Sequence, residues 1–412
     1  MRLKHFACLV LLWAALGHYN FPAGENPGTP WKGTIETQNG TRVVKNTGEP
    51  IYGQRDLKLE QDLVLHYGEN EDDIFGWIAQ VELDNENNIY LMDTKRYKIL
   101  SFDSRGKFRF SFGKKGVGPG EFRYLMDFFV GKKDRIYVLD EHVIHILDIK
   151  GKYINQLKLG RVAFDFFMNE KNDAILCNIV YSENARKKYK VVEYFNPGKN
   201  IKKEIVRYFD GEVVKRVRDG KNLTFHLAHK YTPRFYFKRF FDNRVIFGHS
   251  SEYALMVVDV SGNVLLKIEK QEKVSPISNE EKKKLYNLYA PYYETRWSKE
   301  VFKEAMQFPP HRPFFNKILV DGEGRIYVAK LDSFLTENEN PAFWFDVFDK
   351  GGYFIYQVQL PFQPNLIKDG FLYFIDTDND GGGIKIKRFK VLNWSDSPDS
   401  SPIKNSKPGA CK

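Results

Sequence analysis

Residues 81–122, VELDNENNIYLMDTKRYKILSFDSRGKFRFSFGKKGVGPGEF, decide the fold. Apolar residues alternate through Ile89 and Leu91 and again through Ile99 and Phe102, while residues 84–88, 93–98 and 103–107 supply polar, turn-prone breaks. That is the pattern of four short antiparallel strands in a meander. It returns downstream in residues 128–159, FFVGKKDRIYVLDEHVIHILDIKGKYINQLKL, where Ile136, Tyr137, Val138, Leu139 and Asp140 stand in the places of Ile89 to Asp93. A four-stranded unit repeating every 40 to 50 residues or so is the blade of a propeller.

Working outward, the second strands of successive units end at Asp93, Asp140, Asn178, His249, Lys330 and Asp376, which gives six units. Residues 63–68 read as a fourth strand without the three before it. Residues 365–394 supply three strands without a fourth. Joined, they make one blade, so the expected architecture is all-β: a six-bladed β-propeller whose N-terminal strand closes the last blade and removes the open edges. Two insertions break the spacing. Residues 208–234, between blades 3 and 4, read as a longer strand pair or loop with a turn at Arg218, Asp219 and Gly220. Residues 271–313, between blades 4 and 5, carry the helical pattern: Ser278 and Glu281 form a capping box, Leu285, Leu288 and Tyr289 share a face, Pro291 interrupts, and Trp297, Val301, Phe302 and Ala305 continue to Pro309. Such a helical pair must rest its apolar face on one rim of the ring, as a lid.

The chain has 412 residues, 42% hydrophobic and 15% aromatic, with 34 Phe and 23 Tyr. A wholly disordered chain is excluded, and the aromatic excess favours pleated sheets. The net charge of +10 is scattered over hairpin tips, with small clusters at residues 186–188, 202–203 and 282–284; a solvated basic surface accounts for it, and an anionic partner is the sharper alternative. At the N-terminus a basic start is followed by an apolar run over residues 6–16, too short to span a bilayer and ending in small residues. Residues 1–17 therefore read as a signal peptide, and the mature chain as exported, periplasmic or extracellular. Export conflicts with nucleic-acid binding. Residues 18–56, rich in Gly, Pro, Asn and Thr, read as a flexible leader, and residues 395–412 as a disordered tail, leaving the propeller over 57–394. Cys177 reads as a buried strand residue rather than a disulfide partner of Cys411.

With the blades indexed, residues 88–93, 98–99, 102–106 and above all Gly116 to Phe122 (GVGPGEF) resemble an NHL repeat of the kind found in bacterial exported six-bladed β-propeller proteins. Asn178, His249 and Lys330 depart from the Asp that closes the second strand. The resemblance implies the fold and export; the wider group holds binding scaffolds, lyases and lactonases, so a function does not follow from it.

Candidate chemistry is sparse. Asp376, Asp378 and Asp380, with Gly381 following, have the alternate spacing that converges on a hard cation such as calcium, but Lys387 stands where an EF-hand needs Glu, and a polar hairpin turn is the plainer reading. Asp93 and Asp140, with Arg96 and His142 beside them, are candidates for a binding rim; as hairpin turn residues they would instead bond local amides. His142 and His145, three apart on a strand, point to opposite faces and do not make a metal pair. No nucleophile elbow, phosphate loop or zinc signature is present. The reading favoured by rigid repeats bearing variable loops is a monomeric binding protein for a peptide, glycan or protein. The alternative is a metal-dependent hydrolase or lyase with its ion at the channel mouth.

Overall fold

A computed structural model describes residues 31–65, 75–131, 133, 135–183, 187–199, 201–212, 214–218, 221–225, 227–293, 298–331, 342–378 and 383–393. The expected signal segment and C-terminal tail lie outside the described residues.

Four strands come first: β1 (Thr34–Gln38), β2 (Thr41–Asn46), β3 (Gln54–Asp56) and β4 (Leu59–Leu65). Blade 1 is β5 (Ile78–Leu83), β6 (Ile89–Asp93), β7 (Lys98–Phe102) and β8 (Phe108–Phe112); blade 2 is β9 (Leu125–Gly131), β10 (Arg135–Asp140), β11 (Val143–Asp148) and β12 (Tyr153–Lys158). Blade 3 is β13 (Ala163–Met168), β14 (Ala174–Tyr181), β15 (Lys187–Asn196) and β16 (Ile201–Glu212), followed by a hairpin of β17 (Val214–Arg218) and β18 (Lys221–Phe225). Blade 4 is β19 (Phe235–Phe240), β20 (Arg244–His249), β21 (Ala254–Asp259) and β22 (Val264–Lys270). Two helices follow, α1 (Asn279–Tyr293) and α2 (Lys299–Ala305). Blade 5 is β23 (Phe315–Val320), β24 (Ile326–Lys330), β25 (Phe343–Phe348) and β26 (Phe354–Leu360); blade 6 is β27 (Leu366–Lys368), β28 (Phe371–Asp378) and β29 (Gly383–Val391), completed by β4.

The protein is thus a six-bladed β-propeller with a helical insertion between blades 4 and 5, closed by a strand from the N-terminal side. The first strands of successive blades touch one another in turn, so they surround the central axis. Apolar side chains fill the space between neighbouring sheets: Phe129, Phe166, Cys177 and Phe247 belong to one such layer, and Leu65, Leu91, Phe102 and Ile386 to another. Asp residues set the turns. In Asp103, Asp148, Asp259, Asp321 and Asp349, Oδ1 accepts the amides two and four residues on, at 2.8–3.0 Å. Such a turn puts positive φ on the residue three after the Asp, which is why Gly106 (φ 86°) and Gly151 (φ 83°) sit there.

Part of the segment expected as a flexible leader, residues 34–56, carries β1, β2 and β3. β2 runs parallel to β22 on the outer edge of blade 4, β3 runs parallel to β26 on blade 5, and β4 completes blade 6. The chain therefore belts three consecutive blades before it enters the ring. These strands join sheets through backbone bonds along an edge, with few buried side chains, Val43, Val44 and Asn46 among them, so no alternating apolar pattern announces them.

The capping box on α1 is present: Ser278 N donates to Glu281 Oε2 at 2.9 Å and Glu281 N to Ser278 Oγ at 3.2 Å. Pro291 lies inside α1, two residues before its last described residue, Tyr293. Of the expected apolar face, Leu285 is buried and Leu288 is exposed. Trp297 lies outside the described residues.

Candidate functional site

Each first strand is entered from the same side of the ring. The β17–β18 hairpin precedes β19 and the helices precede β23, so both insertions rise from this entry face, together with the turns that join second to third strands. They pack on each other: Leu285, Phe302, Ala305 and Met306 form a small core with Leu227 and Tyr231. Buried Glu281 fastens it, accepting from Arg312 Nε at 3.0 Å and Nη2 at 2.9 Å and from the Tyr231 hydroxyl.

Between this insertion and blades 3 and 4 lies a cavity of about 500 Å³. Tyr208 and Phe209 come from β16, Leu227 from the segment before β19, His249 from the end of β20, and Phe308 with Pro309 from the segment after α2. The His249 ring stacks on Tyr208, centroids 5.6 Å apart, and Nδ1 lies 2.6 Å from Ser251 Oγ. Burial drags its pKa down to about 4, so the imidazole is neutral at ordinary pH. Nε2 is buried and has no hydrogen-bond partner among the described residues, so no carboxylate completes a triad with Ser251. Two charged neighbours are paired: Asp210 with Lys188 at 3.1 Å, Arg207 with Glu204 at 2.7 Å. Chemically, the cavity is an aromatic-walled receptacle with a polar ring nitrogen in its wall and the Glu252 carboxylate on its lining.

A second cluster occupies the first strands themselves. Arg239, from blade 4, bonds Glu82 of blade 1, places Nη1 3.7 Å from Asp127 of blade 2, and sits 4.7 Å above the Phe129 ring. Burial holds the Glu82 carboxyl above its usual value; burial and the charge of Asp127 push Asp165 of blade 3 up to about 6. On blade 5, burial and then Lys238 lower Lys317 to about 8. Acids thus come from blades 1–3 and bases from blades 4 and 5.

The residues singled out in the sequence are held as follows. Asp93 Oδ2 accepts Gly76 N at 2.7 Å, and its Oδ1 accepts Trp77 N and Arg96 N, both at 3.0 Å. Asp140 repeats the clasp on Arg123 N at 3.0–3.1 Å and Tyr124 N at 2.5 Å. Burial raises the Asp140 carboxyl, but the contact with His145 and these two amides outweigh it and leave it below its usual value. Both carboxylates tie the turn after the second strand to the loop feeding the first. His142 faces Arg123 Nη2 at 3.1 Å, whereas His145 Nε2 lies 3.8 Å from Asp140. Asp376 pairs with Lys387 at 2.6 Å; Asp380 and the Asp378 side chain lie outside the described residues. Among the described residues no three His, Cys, Asp or Glu side chains are arranged to hold a metal.

Reading residues one at a time missed the cavity, whose walls come from two insertions and two blades. His249 itself was visible only as a departure from the Asp that ends other second strands.

A family model described as a 6-bladed beta-propeller, DUF5128, matches residues 69–247. No match was found among curated proteins. Solved structures similar to this chain include a protein of Bacteroides fragilis NCTC 9343 described as exported, 13% identical over 85% of this chain and 99% of that one, with a TM-score of 0.47. A member of the duf4221 family from Bacteroides vulgatus ATCC 8482 is 12% identical over 82% and 99%, TM-score 0.47. Virginiamycin B lyase from Staphylococcus aureus is 10% identical over 81% and 100%, TM-score 0.38. At these identities and TM-scores no activity carries over to this chain. Among the described residues no helix is long and apolar enough to cross a membrane.

Proposed function

We propose that this protein is an exported, NHL-like propeller that binds a peptide or protein partner, with the cavity beneath the helical insertion receiving an apolar side chain. The observation that carries the reading is that cavity: about 500 Å³, walled by Tyr208, Phe209, Leu227 and Phe308, where two insertions meet a rigid sheet edge. Its size falls within the range of small-molecule sites, and the aromatic and aliphatic part of its wall suits an apolar group. Export is supported by the apolar run at residues 6–16 behind a basic start.

The test is selection of peptides from a random display library on the immobilised chain, followed by titration against Phe308→Ala and Phe209→Ala variants with unchanged melting. Binders that weaken about tenfold or more in either variant support the cavity as the site. Binders indifferent to both, or no binders at all, would sink it.

A further inference from the structure

His249 is free of the task that its position performs in other blades. In blades 1 and 2 the residue that ends the second strand is an Asp, and it holds the amide just before the first strand, Trp77 N in one and Tyr124 N in the other. In blade 4 the equivalent amide is Arg234 N, and it is held by the next residue along, Ser250, whose Oγ accepts it at 2.9 Å. The Ser250 amide donates to Arg234 O, also at 2.9 Å, so the entry to β19 is fastened without His249. The imidazole is left in the cavity wall, 3% exposed, with Nε2 unpartnered among the described residues. A buried polar atom without a partner costs stability that an apolar side chain of the same shape would not. Nothing in the closure of blade 4 offsets that cost, whereas a bound group that reaches Nε2 would.

The chemistry around the ring narrows the group. Nδ1 is taken by Ser251 Oγ at 2.6 Å. If Nδ1 carries the ring proton, Nε2 is a bare acceptor; if the Ser251 hydroxyl donates instead, Nε2 carries an N–H. A phenol hydroxyl meets either case, because it both donates and accepts. Arg207 lines the cavity together with Asp210 and Glu252, so charges of both signs stand on the wall. Neither a carboxylate nor an ammonium would find there a set of partners that replaces its hydration. Tyr208 and Phe308 supply ring faces against which an aromatic side chain packs.

We infer that the side chain this cavity receives is a tyrosine, its ring among the aromatic walls and its hydroxyl on His249 Nε2, and that His249 selects it over phenylalanine. The inference rests on the function proposed above, since it names the side chain which that function places in the cavity.

The experiment titrates N-acetyl-tyrosine amide and N-acetyl-phenylalanine amide, each up to about 10 mM, against the full chain by ligand-observed NMR. On the wild type the tyrosine amide is expected to bind about tenfold or more tighter than the phenylalanine amide. On His249→Phe, which keeps the stack on Tyr208, the two should bind about equally. A second readout uses the wild type alone and holds even if that variant melts early: in chain labelled with nitrogen-15 histidine, the tyrosine amide should shift the His249 Nε2 resonance and the phenylalanine amide should not. Equal binding of the two amides to the wild type would overturn the inference; loss of both in Phe308→Ala would then still leave the cavity as a site for an apolar group. A tyrosine preference that survives in His249→Phe, or a His249 resonance that does not move, would show that the hydroxyl meets another group and would overturn it as well. If neither amide binds, the inference falls, while the function proposed above is decided separately by the library selection.

Discussion

Replacing Arg239 with Met removes the cation that joins blade 4 to blades 1 and 2 across the axis. The Arg239 side chain is 25% exposed and those of its partners Glu82 and Asp127 15% and 11%. Deleting one partner of a buried ion pair costs about 3–5 kcal/mol; allowing for water at a partly exposed site, about 2–4 kcal/mol is expected at pH 7. Met roughly keeps the stem that lies over Phe129, so most of that loss is electrostatic. This makes it pH-dependent. Glu82 and Asp165 already have raised pKa values, the latter about 6, and removing the cation raises them further. A raised carboxyl keeps its proton in the folded chain at a pH where the unfolded chain has released it, so stability falls as pH climbs from about 4 towards the folded value. The deficit of Arg239→Met should therefore be largest at pH 7 and shrink to about 1 kcal/mol or less at pH 4, as measured by urea denaturation followed through Trp fluorescence. Glu82→Gln in the same background should recover part of it. An equal deficit at both pH values, with no recovery, would show that the loss is packing and refute the electrostatic account.

Asn46 bridges two blades: Nδ2 donates to Gly352 O at 2.9 Å, and Oδ1 accepts Phe354 N at 2.8 Å. Asn46→Ala should cost about 2–3 kcal/mol by urea denaturation, because it leaves buried backbone groups unsatisfied. Glu281→Ala strands Arg312 and the Tyr231 hydroxyl and should cost about 3 kcal/mol or more, with new tryptic cuts near Lys282, Lys283 and Lys284. His249 binds a proton more readily unfolded, with a pKa near 6.5, than folded, near 4. Its contribution is present above about 6.5 and lost as pH falls towards 4, roughly 3 kcal/mol in all. His249→Phe, which keeps the stack on Tyr208, should abolish that part of the acid slope in denaturation curves taken at stepped pH.

The ring was legible because each blade repeats its own punctuation: alternating apolar residues between Asp-led turns recur with the same spacing, and the odd strand read at residues 63–68, which the structure places at Leu59–Leu65, finds its three partners only after residue 365. The helical insertion was legible from Ser278 and Glu281, whose capping geometry is local. Long-range contacts were not legible. Glu82, Asp127 and Arg239 each look like an ordinary polar residue in a strand, and only ring closure brings them together. The cavity around His249 draws its walls from segments nearly a hundred residues apart. β2 and β3 join sheet edges through the backbone, which leaves almost no mark on side-chain pattern.

The belt has a consequence for how the chain is made. Asp62, in the strand that completes blade 6, is gripped by Arg388, 326 residues further on. At roughly 5–20 residues per second a ribosome needs about 15–65 s to bring the second within reach of the first. Over that interval β2, β3 and β4 have been synthesised while the blade edges they cover have not. Blades 1 to 3 can form early from contacts between neighbours, but the ring stays open until β29 has been made. Closure is then a late, long-range event of the kind that slows folding.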